Sequence, residues 1–363
     1  MMNDLSKKQL SKIKIKGFKS IEECELEIMP LNVFIGCNGA GKSNFINFFQ
    51  MVRQMLAENL QSYVSKQGGP DALLYFGRKK TRQLQAEISF NNYGYRFALE
   101  PTLDNRMMFT NESFSNASGS HCIAKGYFES QAYKEAKTPI EPLILSEIKK
   151  WRAYHFHDTS DTSLIKQLHG INDNMYLRAD ASNLAAFLYL LKSRYEMYYQ
   201  RIVKTVRLVA PFFKDFHLRP STHNENFIEL EWIENEEDIP YKAHRLSDGT
   251  LRFICLATIF LQPEEMQPET IFVDEPELGL HPFAMVLLAS LINSVSKSKQ
   301  VIVSTQSVVF LNEFDIKDVI VIDRKKHQST FNRLDEEELS SWIEDYNLGE
   351  LWQKNILGGR PAR

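Results

Sequence analysis

The sequence predicts an α/β fold in which a mixed sheet, an antiparallel β lobe and an inserted helical region share one chain. Residues 31–35 form an almost continuous apolar run, which is typical of a buried strand, and an amphipathic helical pattern follows at 43–56. Between this part and residue 226 lie short strands at 86–110 and a long helical stretch at 181–215. From residue 226 onward, strand and helix patterns alternate again. This order indicates one α/β unit that is split by an insertion.

Local patterns predict the individual elements and their boundaries. Residues 13–16 alternate as a half-buried strand does, and Pro282 favours the start of a helix over 282–297. Asp335 is predicted to cap a final helix that ends near Gly349. Further buried strands are predicted at 270–273, 301–304 and 319–322. We expect four regions: an N-terminal lobe at 1–110, an inserted and mainly helical region at 111–225, a C-terminal lobe at 226–334, and a C-terminal helix and tail at 335–363. The inserted region is expected to begin with an irregular polar segment at 111–140 that contains a loop around 116–120.

The composition is that of a globular protein with a hydrophobic core, since hydrophobic residues make up 43% and charged residues 25% of the 363 positions. The net charge of −3 argues against a general nucleic-acid-binding surface, so any contact with DNA would come from a local basic patch. The four cysteines lie far apart, which favours reduced thiols over a disulfide framework or a zinc site. Residues 1–8 lack the apolar segment of a secretion signal, and the longest apolar run, 253–261, is too short to span a membrane. We therefore expect a cytoplasmic protein that does not enter a membrane.

Residues 36–43, here called the phosphate loop, read GCNGAGKS and match the pattern G-x-x-x-x-G-K-[ST] in full. The glycines allow backbone amides to point inward at phosphates, and the following helix adds positive potential at its N-terminus. Lys42 is expected to reach the β- and γ-phosphates of ATP, and Ser43 to bind Mg²⁺ through its hydroxyl. Cys37 is expected to lie among the phosphate-facing amides without a catalytic role. The expected ATP contacts are Gly36, Asn38, Gly39, Ala40, Gly41, Lys42, Ser43 and Asn44.

Two carboxylates follow an apolar strand in the segment IFVDEP at 271–276. In a doubly wound sheet, the carboxyl ends of the strands face the ligand crevice. Asp274 is expected to hold Mg²⁺ through water. Glu275 is expected to orient and deprotonate the attacking water, because the metal already engages its neighbour. We call these two residues the acidic pair.

The segment LSDGT at 246–250 precedes an apolar helix, and a serine N-cap followed by glycine at a helix start can bind an anion. It resembles the signature of ABC-type ATPases, in the form found in the SMC-like branch. That branch includes chromosome-structure, recombination-repair and phage-defence ATPases. The resemblance implies an SMC-like ATPase head in which Ser247 and Gly249 of one subunit cover the γ-phosphate bound by the other. A homodimer with a composite ATP site follows from it.

Other segments are similar to the same branch. Residues 15–20, IKGFKS, resemble its N-terminal strand and turn, and residues 276–282, PELGLHP, resemble the D-loop that runs along its dimer seam. In the segment VSTQS at 303–307, Gln306 occupies the switch position, where the family usually has histidine. The resemblance implies a catalytic role for Gln306, but a glutamine carries no proton charge, so slow turnover is expected. The glutamine of the family's Q-loop is not located, and the candidates are Gln50, Gln67, Gln83 and Gln85.

Residues 176–185 and 351–361 resemble short, stand-alone bacterial ATPases. Such ATPases are often encoded beside a small second protein, frequently Toprim-like or another nuclease, in defence loci. The chain shows no nuclease motif of its own, and its insert is too short for a long coiled-coil arm. The resemblance therefore implies an ATP-driven homodimer that regulates a partner effector, a nuclease, in defence against phage.

Other functions remain open at the level of sequence. The chain can be an ATPase of the same branch that acts directly on DNA in repair, or a nucleotide-sensing scaffold with little turnover. The intact Glu275 favours catalysis, whereas Gln306 keeps the sensor hypothesis open. A transporter motor is disfavoured by the FKS element at 18–20 and by the LSDGT form of the signature.

Two weaker patterns have ordinary explanations beside functional ones. His155 and His157 alternate as on one strand face, which fits either a metal site or a strand end, although no later cluster has matching spacing. Residues 77–82, GRKKTR, fit either a solvated turn or a contact with a nucleic-acid backbone.

Overall fold

The computed structural model describes residues 9–116 and 119–359. The sequence predictions that concern residues 1–8, Ser118 and residues 360–361 lie outside these ranges. No helix in the described ranges is both long and apolar enough to cross a membrane.

A central mixed sheet carries the strands that were predicted to be buried. Its strands in spatial order are β17 (Gln328–Arg333), β16 (Val319–Lys325), β3 (Leu31–Ile35), β15 (Gln300–Thr305), β14 (Thr270–Asp274) and β8 (Ala153–Tyr154). Only β17 runs antiparallel to its neighbour, and the other pairings are parallel. Every residue of β3 and β15 is buried, as expected for strands covered on both faces.

A second sheet is antiparallel throughout and forms the predicted β lobe. Its spatial order is β2 (Ile21–Glu27), β1 (Lys12–Phe18), β4 (Leu84–Phe90), β5 (Tyr93–Pro101), β6 (Met107–Asn116) and β7 (Gly119–Ala124). The prediction of an irregular segment is therefore wrong for 111–116 and 119–124, where β6 and β7 continue this sheet past residue 110. The sequence of β6 is polar at positions that are buried in the fold. One of them is Glu112, which accepts hydrogen bonds from the Tyr95 hydroxyl at 2.5 Å and the Gln131 amide at 2.9 Å. Such long-range pairing leaves no trace in local hydropathy.

Helices lie in the predicted stretches at 43–56, 181–215 and 282–297 and after the LSDGT segment, whereas the short helices between residues 60 and 80, the helix at 140–150 and the one at 308–311 were not predicted. The helices are α1 (Lys42–Leu56), α2 (Leu60–Lys66), α3 (Pro70–Leu73), α4 (Gly77–Lys80), α5 (Ile140–Lys150), α6 (Leu184–Arg194), α7 (Glu196–Val209), α8 (Asp248–Leu261), α9 (Pro282–Val295), α10 (Val308–Leu311), α11 (Glu336–Ile343) and α12 (Leu348–Gln353). Smaller strands complete the fold, namely β9 (His169–Gly170) paired with β11 (Phe227–Ile228), and β10 (Phe213–Phe216), β12 (Glu231–Glu234) and β13 (Tyr241–Lys242) in a three-stranded sheet.

The C-terminal helix is divided in two. Asp335 caps α11 as predicted, since its side chain accepts a hydrogen bond from the Glu337 amide at 2.8 Å. However, α11 ends at Ile343, so the prediction of one helix reaching Gly349 is wrong. Asn347 and Glu350 form a capping box that starts α12, with side-chain to backbone bonds of 2.9 and 3.0 Å.

Two hydrophobic cores lie on opposite faces of the central sheet. Val33 and Ile35 of β3 join the core that is shared with α6–α9, whereas Phe34 joins the core between α1 and the antiparallel sheet. This division follows the alternation of side chains along a strand. It fixes α1, and with it the phosphate loop, against the carboxyl edge of the central sheet.

Candidate functional site: a phosphate loop beside a carboxylate pair

The phosphate loop, the acidic pair and Gln306 follow three neighbouring parallel strands. Ile35 of β3 pairs with Thr305 of β15, and Ser304 pairs with Asp274 of β14. Because the carboxyl ends of parallel strands meet at one edge, the segments that follow them converge there. The structure thus brings these sequence-predicted residues together.

Close packing explains two of the loop glycines. At Gly36, a Cβ atom would lie 2.4 Å from the Ile322 carbonyl oxygen. At Gly41, which is the N-cap of α1 with φ of 121°, it would lie 2.1 Å from the Ser329 hydroxyl. Any larger residue at either position would push the loop away from β16 and β17.

A small polar network supports the loop from outside. The hydroxyls of Ser20 and Ser329 are hydrogen-bonded at 2.7 Å, and Ser329 also donates to the Ala40 carbonyl at 2.5 Å. The Asn44 side chain donates to Ser20 at 2.8 Å. The Ser20 element was recognised from its family resemblance, but nothing in the sequence pointed to Ser329, which lies 309 positions away.

Lys42 is buried and folds back onto its own loop. Its ammonium group donates to the carbonyl oxygens of Gly36 at 2.7 Å and Cys37 at 3.3 Å. Burial lowers the pKa of Lys42, while the carboxylates of Glu275 and Asp274 act in the opposite direction. The ammonium therefore lies between the loop and the acidic pair.

Part of the phosphate loop is exposed at the surface of the protein. Asn38, Gly39 and Ser43 are exposed, so their polar groups are accessible to a ligand. The Cys37 amide, by contrast, donates to the Gly359 carbonyl at 2.9 Å. Cys37 is not among the sequence-predicted ATP contacts, and its amide is engaged by the segment that contains Gly359.

The acidic pair is held by backbone and side-chain contacts with β15. The Ser304 hydroxyl donates a hydrogen bond to the Asp274 carboxylate. The Ser304 carbonyl oxygen accepts a hydrogen bond from the Glu275 backbone amide at 3.0 Å. Glu275 has φ of 47°, a left-handed conformation that typically costs about 1–3 kcal/mol for a residue with a side chain. Its carboxylate accepts a hydrogen bond from the Gln306 side-chain amide at 2.7 Å.

A third carboxylate, Glu277, was not assigned from the sequence beyond its place in the 276–282 segment. It is buried and accepts hydrogen bonds from the Thr305 hydroxyl at 2.6 Å and the Gln306 amide at 3.2 Å. Burial raises its pKa above the ordinary value. Glu277 thereby joins the segment after β14 to the segment after β15.

The signature residues at the start of α8 contact the 276–282 segment of the same subunit. Ser247 is exposed and caps α8 by accepting a hydrogen bond from the Thr250 amide at 3.2 Å. A Cβ atom on Gly249 would lie 2.4 Å from the Gly279 carbonyl oxygen. Arg252 donates to the Leu278 carbonyl at 2.8 Å. The start of α8 is therefore packed against the 276–282 segment.

One further residue at the sheet edge, His155, was predicted to belong either to a metal site or to a strand end. Tyr154 of β8 pairs with Val273, so His155 follows at the level of Asp274. The rings of His155 and His157 are 6.1 Å apart, and the described ranges contain no group of three or more His, Cys, Asp or Glu residues that could hold a metal ion. His155 lies one residue beyond the pairing of β8 with β14, and its backbone amide donates to the Ala179 carbonyl at 3.3 Å.

A cavity of about 1060 Å³ opens beside the phosphate loop. Gly39 and Asn44 line it on one side, and part of the basic 77–82 segment lines it on another. Arg78 in that segment is paired with Asp71 at 3.1 Å, which reduces its free charge. Of the Q-loop candidates, Gln67 lines the cavity and Gln50 lies on α1. Gln85 lies on β4, and Gln83 immediately precedes that strand.

Comparison with known proteins identifies the family. A family model described as "AAA domain, putative AbiEii toxin, Type IV TA system" matches residues 31–312, a span that includes the phosphate loop, the signature, the acidic pair and Gln306. No curated protein sequence matches the chain.

Two solved structures share the fold. The Smc head bound to the C-winged helix domain of ScpA has a TM-score of 0.60 and 17% identity, and the match covers 92% of this chain and 99% of that chain. The Smc head domain with an extended coiled coil, bound to the C-terminal domain of ScpA and derived from Pyrococcus furiosus, has a TM-score of 0.60 and 14% identity, with coverage of 93% and 98%. At these identities the likeness shows the fold, and it confirms the predicted α/β architecture of an SMC-like ATPase head. Because the family model matches residues 31–312 of the 363, the chain belongs to this family of AAA-domain ATPases.

Proposed function

We propose that the chain binds ATP together with Mg²⁺ at the phosphate loop and hydrolyses it with Glu275 as the general base. The observation that carries this proposal is the convergence of the loop, the acidic pair and Gln306 at one sheet edge, with Glu275 hydrogen-bonded to Gln306 at 2.7 Å. Phosphoryl transfer needs positioning and charge stabilisation more than covalent chemistry. These groups supply both.

The residues present fit a magnesium ion. Ser43 exposes its hydroxyl at the start of α1, and Asp274 offers a half-buried carboxylate at the end of β14. Mg²⁺ prefers oxygen ligands and keeps several waters, so one hydroxyl and one carboxylate beside the substrate phosphates suffice. When bound, Mg²⁺ neutralises negative charge on the phosphates.

Lys42 and the exposed backbone of the loop bind the phosphates. The Lys42 ammonium exchanges its bonds to the Gly36 and Cys37 carbonyls for stronger, charge-assisted bonds to phosphate oxygens. The remaining contacts come from Asn38, Gly39, Ala40, Gly41 and Asn44 around the N-terminus of α1.

Glu275 orients and deprotonates the attacking water. Its backbone is held by Ser304, and its side chain is held by Gln306. Gln306 donates a hydrogen bond but cannot deliver a proton, so its role is to position the base and to contact the γ-phosphate. Turnover is therefore slow but present.

The composite site forms between two copies. Ser247 and Gly249 lie at the exposed N-terminus of α8, which carries positive potential and suits an anion. Within one subunit this end packs against the 276–282 segment and makes its contacts away from the phosphate loop. The γ-phosphate held by a second copy is the anion that fits, so ATP drives the formation of a homodimer.

The homodimer regulates a partner effector, a nuclease or Toprim-like protein, in defence against phage. The family description names a toxin of a toxin–antitoxin system, which favours an effector pathway. The two similar Smc heads are each bound to a domain of ScpA, so this fold is able to carry a second protein. Direct action on DNA through the basic 77–82 segment is the alternative. A nuclease gene beside this one would support the effector proposal, and recombination genes there would support the alternative.

Replacing Lys42 tests the nucleotide site. Lys42→Ala removes a charge-assisted contact of about 1.5–3 kcal/mol, so the affinity for Mg-ATP should fall at least about tenfold in equilibrium binding. Lys204→Ala, in an exposed position on α7, is the matched control and should bind as wild type does. Equal affinities for all three proteins would remove the phosphate-loop assignment.

A further inference from the structure

The C-terminal segment 348–359, here called the strap, bridges the two sides of the site. At its first end, α12 packs on α10, the short helix that begins two residues after Gln306. The Gly349 amide donates to the Asn312 side chain at 2.6 Å, and a Cβ atom on Gly349 would lie 2.5 Å from Val308. Leu351 is fully buried. This end of the strap is therefore firmly seated.

The second end of the strap lies against the phosphate loop. Gly359 is buried and accepts the hydrogen bond from the Cys37 amide at 2.9 Å. A Cβ atom on Gly359 would lie 2.8 Å from Val321 and 3.6 Å from the Gly36 Cα. The contact is so close that only glycine fits there without displacing its neighbours.

The peptide that the strap engages is also the peptide that holds Lys42. The Gly36 and Cys37 carbonyl oxygens accept hydrogen bonds from the Lys42 ammonium group. The Cys37 amide lies between these two carbonyls along the chain, and it donates a hydrogen bond to the Gly359 carbonyl. Because the peptide unit between Gly36 and Cys37 is planar, this hydrogen bond restricts the orientation of the Gly36 carbonyl, which makes the shorter bond to Lys42. It therefore restricts the path along which Lys42 reaches a phosphate.

We propose that the strap is a positioning element that sets the ATP affinity of the phosphate loop through the Gly359–Cys37 contact. This inference rests on the proposed ATP binding. Since binding free energies are reciprocal, ATP should also strengthen the docking of the strap by the same factor by which docking raises ATP affinity. The strap thereby gives the segment after Gln306 a physical connection to the phosphate loop.

Two neighbouring glycines provide a matched test. Gly358 and Gly359 have φ of 79° and 75°, so alanine imposes similar backbone strain at both. However, a Cβ atom on Gly358 meets nothing within 4 Å. Gly359→Ala should raise the Kd for Mg-ATP about tenfold relative to Gly358→Ala, whereas kcat at saturating ATP should differ by less than about twofold.

Two outcomes would overturn the proposal. They are equal Kd values for the two variants, whether or not both differ from wild type, and a fall in kcat with unchanged affinity. If wild-type protein itself fails to bind ATP, the proposed function fails instead, so the two failures are distinguishable.

A measurement on wild-type protein covers the case in which Gly359→Ala does not fold. Hydrogen exchange should slow in the peptide 354–359 on saturation with Mg-ATP, while a peptide from α7 (Glu196–Val209) stays unchanged. Unchanged exchange in 354–359 with ATP bound would contradict the coupling.

Discussion

The side-chain amide of Gln306 donates a hydrogen bond to the carboxylate of Glu275, and the backbone amide of Gln306 donates to a second carboxylate, Glu277. One residue at the end of β15 thus holds two acidic side chains that follow β14. Because the sheet register fixes these two strand ends together, the base does not depend on a flexible loop for its position.

Glu275→Gln should keep ATP binding but slow hydrolysis. Loss of a general base typically costs about 10²–10⁴-fold in rate, and single-turnover hydrolysis of prebound ATP measures it. Glu264→Gln, at an exposed position, should leave the rate unchanged. If Glu275→Gln hydrolyses ATP at the wild-type rate, another group activates the water.

Gln306→Ala should slow hydrolysis less than Glu275→Gln does. It removes one hydrogen bond to the carboxylate that acts as the base, worth about 1.5–3 kcal/mol, which corresponds to a loss of roughly 10–100-fold. In the double variant Glu275→Gln/Gln306→Ala the two losses should not add, since both act on one contact. Full additivity would show that Gln306 acts independently of Glu275.

Ser247→Arg should leave ATP binding intact and abolish hydrolysis, because the arginine would block the seam between two copies. Light scattering with Mg-ATP should show a dimer for wild type and for Ser193→Arg, an exposed serine on α6, but a monomer for Ser247→Arg. Mixing Ser247→Arg with Lys42→Ala subunits restores one intact site per heterodimer. Up to about half the activity should return if the two sites are independent. Normal hydrolysis by monomeric Ser247→Arg would exclude a two-copy site.

Cysteine alkylation should report ATP at the phosphate loop. Burial raises the pKa of the Cys24 thiol to about 12 and also raises that of Cys255, so neither forms a reactive thiolate near neutral pH. Cys37 and Cys122 are at least partly exposed and should react with N-ethylmaleimide. Mg-ATP should protect Cys37 and leave Cys122 unaffected, as mass spectrometry of the labelled protein can measure. Equal labelling of Cys37 with and without Mg-ATP would contradict its place in the site.

Glu277→Gln should change how stability depends on pH. The folded-state pKa of Glu277 lies above the ordinary value of 4.5, so between these values the native state binds more protons than the unfolded state. The stability contributed by the protonated group is present below pH 4.5 and is lost as the pH rises through the folded-state pKa. The melting temperature of wild type relative to Glu277→Gln should therefore fall as the pH rises from 4.5 through the folded-state pKa. Parallel pH profiles would show that burial of this charge costs nothing.

The sequence by itself determined the parts of the protein that depend on consecutive residues. The phosphate loop binds through the backbone of one short segment, so its pattern at 36–43 is complete in the chain. Nearly continuous apolar runs predict the buried strands at 31–35 and 301–304. The acidic pair can be recognised because it directly follows such a strand. These local signals were enough to predict the fold class and to select the candidate site.

Only the tertiary structure decided which distant residues support that site. Ser329 donates a hydrogen bond to the Ala40 carbonyl of the loop across 289 positions, His155 follows a strand that pairs with β14, and Gly359 lies against Cys37. The strand residues at 111–116 and 119–124 were missed for the same reason, since the partners of Glu112 are supplied by other segments. Such contacts depend on chain crossings and close packing rather than on periodicity. Local sequence patterns do not predict these contacts, because the two partners are distant in the chain and come into contact only in the folded protein.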